Sequence, residues 1–199
     1  MKKFILFILL SVSLCILAGC ADSPSTDDGK TNLIIGKDKV VTQRIREDFS
    51  ENYYDAGELK NMILDEAASY NNKHVSGAVS VNKVNVSENN ITNVEMVYMT
   101  ANDYADFNGE MLFVGTGEEA VKEGCSLKQI LTNTENSAET IAEAELKEMT
   151  NDTILIYGGE YAVFLPGKIK YASDNAFLSE DKKAVRLKEG QNGPFYIVY

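Results

Sequence analysis

The sequence is poor in the residues that most often carry enzyme chemistry and metal binding. Its 199 residues include one histidine, three cysteines and no tryptophan. A Ser–His–Asp or Cys–His arrangement would have to use His74, and protein zinc sites use several His or Cys ligands. We therefore predict no catalytic residue of these kinds, no metal site and no cofactor. The lack of tryptophan also disfavours a sugar-binding cleft built on indole rings, although ten tyrosines could take that place.

Basic residues are also scarce, with 19 Lys and Arg against 30 Asp and Glu and a net charge of −11. Removal of an N-terminal leader containing Lys2 and Lys3 would lower the 19 basic residues to 17 and the charge from −11 to −13. Binding of nucleic acid requires a cluster of Lys and Arg that displaces counterions. We find no such cluster in the sequence, and predict that nucleic acid is not a partner. Electrostatic adhesion to anionic lipid is disfavoured for the same reason.

What the sequence does contain is an N-terminal export signal. Met1–Lys3 is basic, and Phe4–Leu17 is an apolar run of 14 residues. A helix of that length spans about 21 Å, which is shorter than the ~30 Å hydrocarbon core of a bilayer. The pattern therefore predicts a signal peptide over residues 1–19 and not a transmembrane helix.

The end of this segment, Leu17-Ala18-Gly19-Cys20, resembles a bacterial lipobox. The resemblance implies cleavage before Cys20 and attachment of a diacylglyceryl group, with acyl chains such as palmitate, to the Cys20 thiol. Two acyl chains are enough for stable anchoring. We predict that the lipid on Cys20 holds the protein at the cell membrane, with its domain on the extracytoplasmic face. The alternative is an ordinary secretory signal with a chance cysteine at the junction.

The remaining cysteine content excludes an internal disulfide. Cys15 would leave with the leader and Cys20 would be acylated, so that Cys125 alone remains. An isolated free cysteine is usually a small buried apolar residue. We predict that Cys125 has a structural role and not a catalytic one.

Residues 20–32 form the lipidated cysteine and a flexible tether in our interpretation, because the segment is small, polar and rich in turn residues. Residues 33–199 are then the globular domain. Asp55 suits the N-cap of a helix, and apolar residues at helical spacing predict that helix over Ala56–Asn71. A change of parity between Val81 and Val84 predicts a bulge in the first strand of a β-hairpin.

Shorter patterns predict the remaining elements, and the C-terminal third is rich in strands. The predicted strands lie in Lys39–Phe49, Met111–Val114, Ile154–Tyr157, Tyr161–Leu165, Ile169–Ala172, Ala184–Leu187 and Phe195–Tyr199, and further helices lie in Asn102–Phe107, in Glu118–Glu123 and after a Thr140 cap. The fold class predicted is α+β, an antiparallel sheet with one main packed helix followed by a β-rich C-terminal meander. That meander is either a subdomain with a boundary near 132–152 or an extension of the same sheet.

Four aromatic residues are candidates for a contact face. They are Tyr53, Tyr54, Tyr104 and Phe107, and aromatic side chains are enriched in recognition sites. The alternative is that these rings belong to the core or its rim.

Four segments carry a resemblance to a known family. Asp48–Leu59, Ala101–Asn108, Leu112–Thr116 and Pro166–Asn175 resemble a family of uncharacterised lipoproteins of anaerobic Gram-positive bacteria. The resemblance spans most of the mature chain and implies a Gram-positive cell surface, with the lipid in the outer leaflet of the membrane. It implies no known activity, cofactor or catalytic residue.

The function predicted from the sequence is that of a membrane-tethered lipoprotein whose domain is a non-enzymatic binding or interaction module. Its partner would be an envelope protein or a component of the cell wall. One alternative is a carboxylate-dependent hydrolase of cell-envelope polymers, which needs two carboxyl groups about 5–9.5 Å apart in one cleft. Another alternative is an accessory subunit of a membrane complex.

Overall fold

The computed structural model describes residues 29–51 and 54–199. These residues form a mixed α+β fold that is rich in strands toward the C-terminus, as predicted. The elements in chain order are β1 (Asn32–Ile35), β2 (Val41–Asp48), α1 (Ala56–Asn71), β3 (Val79–Val86), β4 (Ile91–Tyr98), α2 (Ala101–Asn108), β5 (Leu112–Gly115), α3 (Gly117–Lys122), β6 (Leu131–Asn133), β7 (Thr140–Ile141), α4 (Glu143–Lys147), β8 (Ile154–Tyr157), β9 (Ala162–Phe164), β10 (Tyr171–Ala172), β11 (Ala176–Leu178), β12 (Ala184–Leu187) and β13 (Phe195–Val198). Within these ranges, none of the helices combines the length and the apolar character needed to span a bilayer.

The strands form two sheets. The first sheet has seven strands in the order β11-β12-β9-β1-β2-β4-β3, and the second has six in the order β5-β8-β13-β10-β6-β7. All neighbours pair antiparallel except β1 and β9, which are parallel. Both sheets are therefore dominated by antiparallel pairs.

The pairing shows how the C-terminal third joins the rest of the chain. Strand β1 pairs with β9, and strand β5 pairs with β8, so each sheet combines strands from both sides of residues 132–152. A boundary there would cut both sheets. The C-terminal strands therefore extend sheets that the first half of the chain begins.

The N-terminal edge of the fold lies earlier than the predicted tether end at residue 32. Thr31 and Asn32 are only 8% and 3% exposed, and Asn32 opens strand β1. The polar composition of this segment predicts a linker, but the pairing of β1 with strands on both sides places Asn32 inside the sheet, directly after the buried Thr31.

Local sequence signals set several of the predicted elements. Helix α1 spans Ala56–Asn71, as predicted, and Asp55 Oδ1 accepts a hydrogen bond from the Glu58 amide at 2.8 Å. The hairpin of β3 and β4 has a shift of register between Val81 and Lys83, which confirms the bulge. A different signal was misread at Thr140, which lies in β7, while α4 begins after Ala142.

The buried side chains form two clusters, one on each face of the second sheet. Leu155 and Ile197 belong to the cluster between the two sheets, whereas Ile154 and Val198 belong to the cluster beneath α3 and α4. Because neighbouring residues of a strand point to opposite faces, β8 and β13 are buried on both faces. In the first sheet, by contrast, one face packs in the core, and the other face carries polar residues that are described below.

Candidate functional site

The structure describes three of the four predicted contact residues, and it places them in the core or at its edge. Tyr104 has no exposed surface, and Phe107 packs against the cluster between the sheets. Tyr54 is half-buried, and its ring stacks on Phe49 with 4.6 Å between the centroids. Tyr53 and the predicted lipidation residue Cys20 lie outside the described residues. Tyr104 and Phe107 thus belong to the core, which was the alternative to a contact face. A fully buried Tyr104 ring is not available to a partner.

Helix α2 places these rings among other aromatic side chains between the sheets. The Tyr98 ring meets Tyr104 edge to face at 5.2 Å and Phe107 at 5.7 Å, measured between centroids. Tyr157 meets Phe195 in the same way at 5.7 Å. Edge-to-face geometry of this kind stabilises aromatic pairs. The aromatic residues of α2 therefore serve the packing of the fold.

A half-buried carboxylate, Glu110, joins two of the buried tyrosines. Its Oε2 accepts hydrogen bonds from the hydroxyls of Tyr104 and Tyr157, the latter at 2.8 Å. Burial first, and then the negative charge of Glu110, raises the pKa of Tyr157, and the pKa of Tyr104 is raised chiefly by burial as well. A Cβ at Gly159 would lie 2.3 Å from Glu110 Oε1 and from the Tyr157 hydroxyl, so only glycine fits beside this carboxylate. We interpret this cluster as structural.

The single histidine and Cys125, the one cysteine in residues 29–51 and 54–199, have local roles. His74 is exposed, its ring stacks on Tyr70 with 3.9 Å between the centroids, and its Nδ1 lies 2.9 Å from the Tyr70 carbonyl oxygen. Cys125 packs against the cluster beneath α3, and burial raises the pKa of its thiol above the usual value. A raised thiol pKa keeps the sulfur protonated and weakly nucleophilic. Among the described residues, no group of three or more His, Cys, Asp and Glu is placed to hold a metal ion.

One concave surface in the described part of the chain is a polar cleft of about 930 Å³. We call it the polar cleft; its walls include Gln129, Ile130, Glu143, Asp174, Asn175 and Gln191. Asn175 holds one wall together, since its Nδ2 donates to the Asn192 and Pro194 carbonyls at 3.0 and 3.1 Å. Ile130 is 66% exposed and adds an apolar surface.

Two carboxylates line the polar cleft, which is the feature that the hydrolase alternative requires. Glu143 lies 2.7 Å from the Lys147 ammonium, and this contact holds the pKa of the Glu143 carboxyl below its usual range. A glycosidase needs one carboxyl group that stays protonated near neutral pH and can donate a proton. Glu143 is ionised instead, so its surroundings are unsuited to that role.

A second, smaller pocket of about 250 Å³ lies on the outer face of the first sheet. The register aligns four polar residues across it: Asn32 lies opposite Arg44, Arg44 opposite Glu95, and Glu95 opposite Lys83. Arg46 follows Arg44 on the same face of β2. We call this site the basic pocket.

The basic pocket is not recognisable in the sequence, because the cationic residues that form it are far apart in the chain. Arg44 and Arg46 come from β2, and Lys83 comes from β3. Residues at alternate positions of a strand lie on one face. Arg44 and Arg46, two positions apart in a predicted strand, were therefore the available signal of a cationic surface. Only the pairing of β2, β3 and β4 brings Lys83 to them.

Comparison of the chain with protein-family models, with curated proteins and with solved structures found no match.

Proposed function

We propose that the protein is a lipoprotein anchored to the extracytoplasmic face of the cell membrane through Cys20, with a non-enzymatic domain that binds a component of the cell envelope. The observation that carries the anchoring is the N-terminal sequence, in which a basic start, a short apolar run and Leu17-Ala18-Gly19-Cys20 follow one another. Thr31, the first buried residue among those described, follows Cys20 by eleven positions, and the residues between them are mostly polar.

Substitution of Cys20 by Ser should abolish acylation. Cells that express the chain are grown with labelled palmitate, and the isolated protein is analysed for label and mass. The wild-type protein should carry label and begin at residue 20, whereas Cys20→Ser should carry none. Cys125→Ser, which changes the cysteine inside the domain, is the matched control and should be labelled like the wild type. An unlabelled wild-type protein would mean an ordinary secretory signal.

The binding function is assigned to the polar cleft because its walls offer hydrogen bonds without a dominant charge. Lys128 and Lys188 are balanced by Glu143 and Asp174, and amide side chains line the space between them. Ligand sites of this kind use a few placed polar groups for orientation and an apolar surface for contact, here Ile130. These features suit an uncharged, hydroxyl-rich ligand, and a cell-wall saccharide has that chemistry.

Binding of such a ligand should depend on Gln129 and Gln191. Both side chains are exposed at the cleft, so Gln129→Ala/Gln191→Ala should fold normally. We expect soluble cell-wall saccharide fragments to raise the melting temperature of the wild-type protein, and the double variant to bind about tenfold or more weakly, equivalent to about 1.4 kcal/mol. Asn89→Ala, in the turn between β3 and β4, is the control and should bind like the wild type. A panel of fragments that leaves the wild-type melting temperature unchanged would refute the saccharide assignment.

A further inference from the structure

We propose that the basic pocket binds a polyol phosphodiester, the chemical group found in glycerol phosphate headgroups. Arg46 and Lys83 would hold the phosphate, and Asn32 would accept a hydrogen bond from a hydroxyl group of the polyol. The site goes beyond the proposed saccharide binding, because it lies on the outer face of the first sheet and shares no residue with the polar cleft.

The charge of the pocket is opposite to that of the whole protein. Four cationic residues line it, Lys30, Arg44, Arg46 and Lys83, against one anionic residue, Glu95, in a chain whose net charge is −11. The Glu95 carboxylate lies 3.2 Å from Arg44 Nε and so compensates Arg44. Within residues 29–51 and 54–199, Arg46 and Lys83 form no ion pair. Their charges remain for an anion, and phosphate is, with carboxylate, one of the anions that Arg binds with paired hydrogen bonds.

Asn32 adds a second and independent requirement. The residue is 3% exposed, and its Nδ2 donates to the Lys30 carbonyl at 3.2 Å. This bond sets the orientation of the amide, because a flipped amide would place two oxygens against each other. The Oδ1 atom has no hydrogen-bond partner among the described residues.

Buried acceptors without a partner are rare in folded proteins. Asn32 is among the residues that line the pocket, so a donor bound there can satisfy its Oδ1. An ionised phosphodiester has only acceptors to offer. A hydroxyl group on the same ligand supplies the donor, which is why the combination of phosphate and polyol fits the pocket.

The position of the pocket points to a lipid as the source of this group. Lys30 follows Cys20 by ten residues, so a lipid on Cys20 would keep the pocket within about 35 Å of the anchored end. Phosphatidylglycerol exposes a glycerol phosphodiester at that surface. Salt screens the repulsion between the protein and an anionic lipid surface over about 8 Å at physiological ionic strength. Acidic residues farther than that from the surface therefore oppose adhesion only weakly. The choice of a lipid as the ligand rests on the proposed anchoring. The assignment of a polyol phosphodiester to the pocket does not depend on the anchoring.

The test titrates the full-length protein, purified from expressing cells and placed in phosphatidylcholine nanodiscs, with three soluble probes. These are glycerophosphoglycerol, dimethyl phosphate, which is a diester without hydroxyls, and inorganic phosphate. We expect glycerophosphoglycerol to bind most tightly and both other probes to bind about tenfold more weakly. Equal affinity for glycerophosphoglycerol and dimethyl phosphate would refute the role of Asn32.

Arg46→Gln/Lys83→Gln should lower the affinity for glycerophosphoglycerol by about 100-fold, because each lost charge-assisted contact is worth about a factor of ten. Both side chains are exposed, so the variant should keep the melting temperature of the wild type without ligand. Arg186→Gln is the matched control, since Arg186 stacks on Phe177 of the same sheet, outside the pocket, at 4.6 Å. Binding that survives in Arg46→Gln/Lys83→Gln would overturn the proposal.

A second arm distinguishes the source of the group. Replacing part of the phosphatidylcholine by phosphatidylglycerol should raise the melting temperature of the wild-type protein and leave that of Arg46→Gln/Lys83→Gln unchanged. A response to soluble glycerophosphoglycerol without one to phosphatidylglycerol would support the pocket and assign it to a free polyol phosphate. Absence of any response in both arms would refute the proposal and leave the anchoring, tested by palmitate labelling, unaffected.

Discussion

Above about pH 11, the free energy of unfolding should fall by at least about 4 kcal/mol for each pH unit. Three tyrosines between the sheets, Tyr98, Tyr104 and Tyr157, have no exposed surface, and burial raises the pKa of each. In the unfolded chain the same phenols ionise near pH 10. The unfolded state therefore loses protons first, so stability is constant below that pH and decreases above it. One proton per residue is worth about 1.4 kcal/mol per pH unit, and a domain is typically stable by about 5–15 kcal/mol.

Urea denaturation followed by circular dichroism between about pH 9 and pH 11.5 would measure this slope. Tyr157→Phe removes one of the three buried phenols and should flatten the slope by about 1.4 kcal/mol per pH unit. The absorbance of tyrosinate should rise together with the loss of structure. Ionisation of all tyrosines in a chain that remains folded would contradict the assignment of these residues to the core.

Substitution of Gly117 by Ala should destabilise the fold by about 3 kcal/mol or more, because it forces a side chain into backbone atoms. A Cβ at Gly117 would lie 1.9 Å from the Leu146 carbonyl oxygen and 2.8 Å from that of Lys147. The Gly117 amide also donates to the Met149 carbonyl at 2.9 Å, so the first turn of α3 is held against the end of α4. Leu146 has no exposed surface in the cluster beneath these helices, and separation of α3 from α4 would open that cluster.

Thermal denaturation of Gly117→Ala beside Gly167→Ala would measure this effect. Gly167 is the matched control, because a Cβ there would meet only Tyr199 Cδ2 at 3.7 Å, an ordinary contact. Gly167→Ala should be neutral or slightly stabilising, since alanine restricts the unfolded chain. A melting temperature for Gly117→Ala equal to that of the wild type would show that α3 and α4 are not in this contact.

Local signals explain which elements were predictable. The bounds of α1, β8 and β12 match their predictions. Each of these elements depends on residues that are close in sequence: a cap and helical periodicity for α1, and a short apolar run between turn residues for β8 and β12. Strand β1 was missed because it is short, its first residue is polar, and one of its partners, β9, is distant in the chain. Thr140 suits a helix cap by residue type, but its pairing with Thr132 in β6 determines its structure.

The same distinction applies to the candidate site. Aromatic residue type alone could not separate a contact face from a core, and the burial of Tyr104 depends on two sheets that meet around α2. The net charge of the chain suggested no cationic surface, yet three paired strands assemble one from Arg44, Arg46 and Lys83. Long-range pairing, which the sequence does not display, produces both results.

The position of the first and last strands has a consequence for the order in which the protein can fold. Strand β1 lies between β9 and β2, and strand β13 lies between β8 and β10. Each sheet therefore has either the first or the last of the described strands in its interior. Asn32 of β1 must wait for Ala162 of β9, and the second sheet cannot close before residue 198 is available. Pairings of such separation are slow to form and leave apolar strands unpaired meanwhile. A chain that crosses a membrane from its N-terminus would therefore remain unfolded during passage and fold only on the far side.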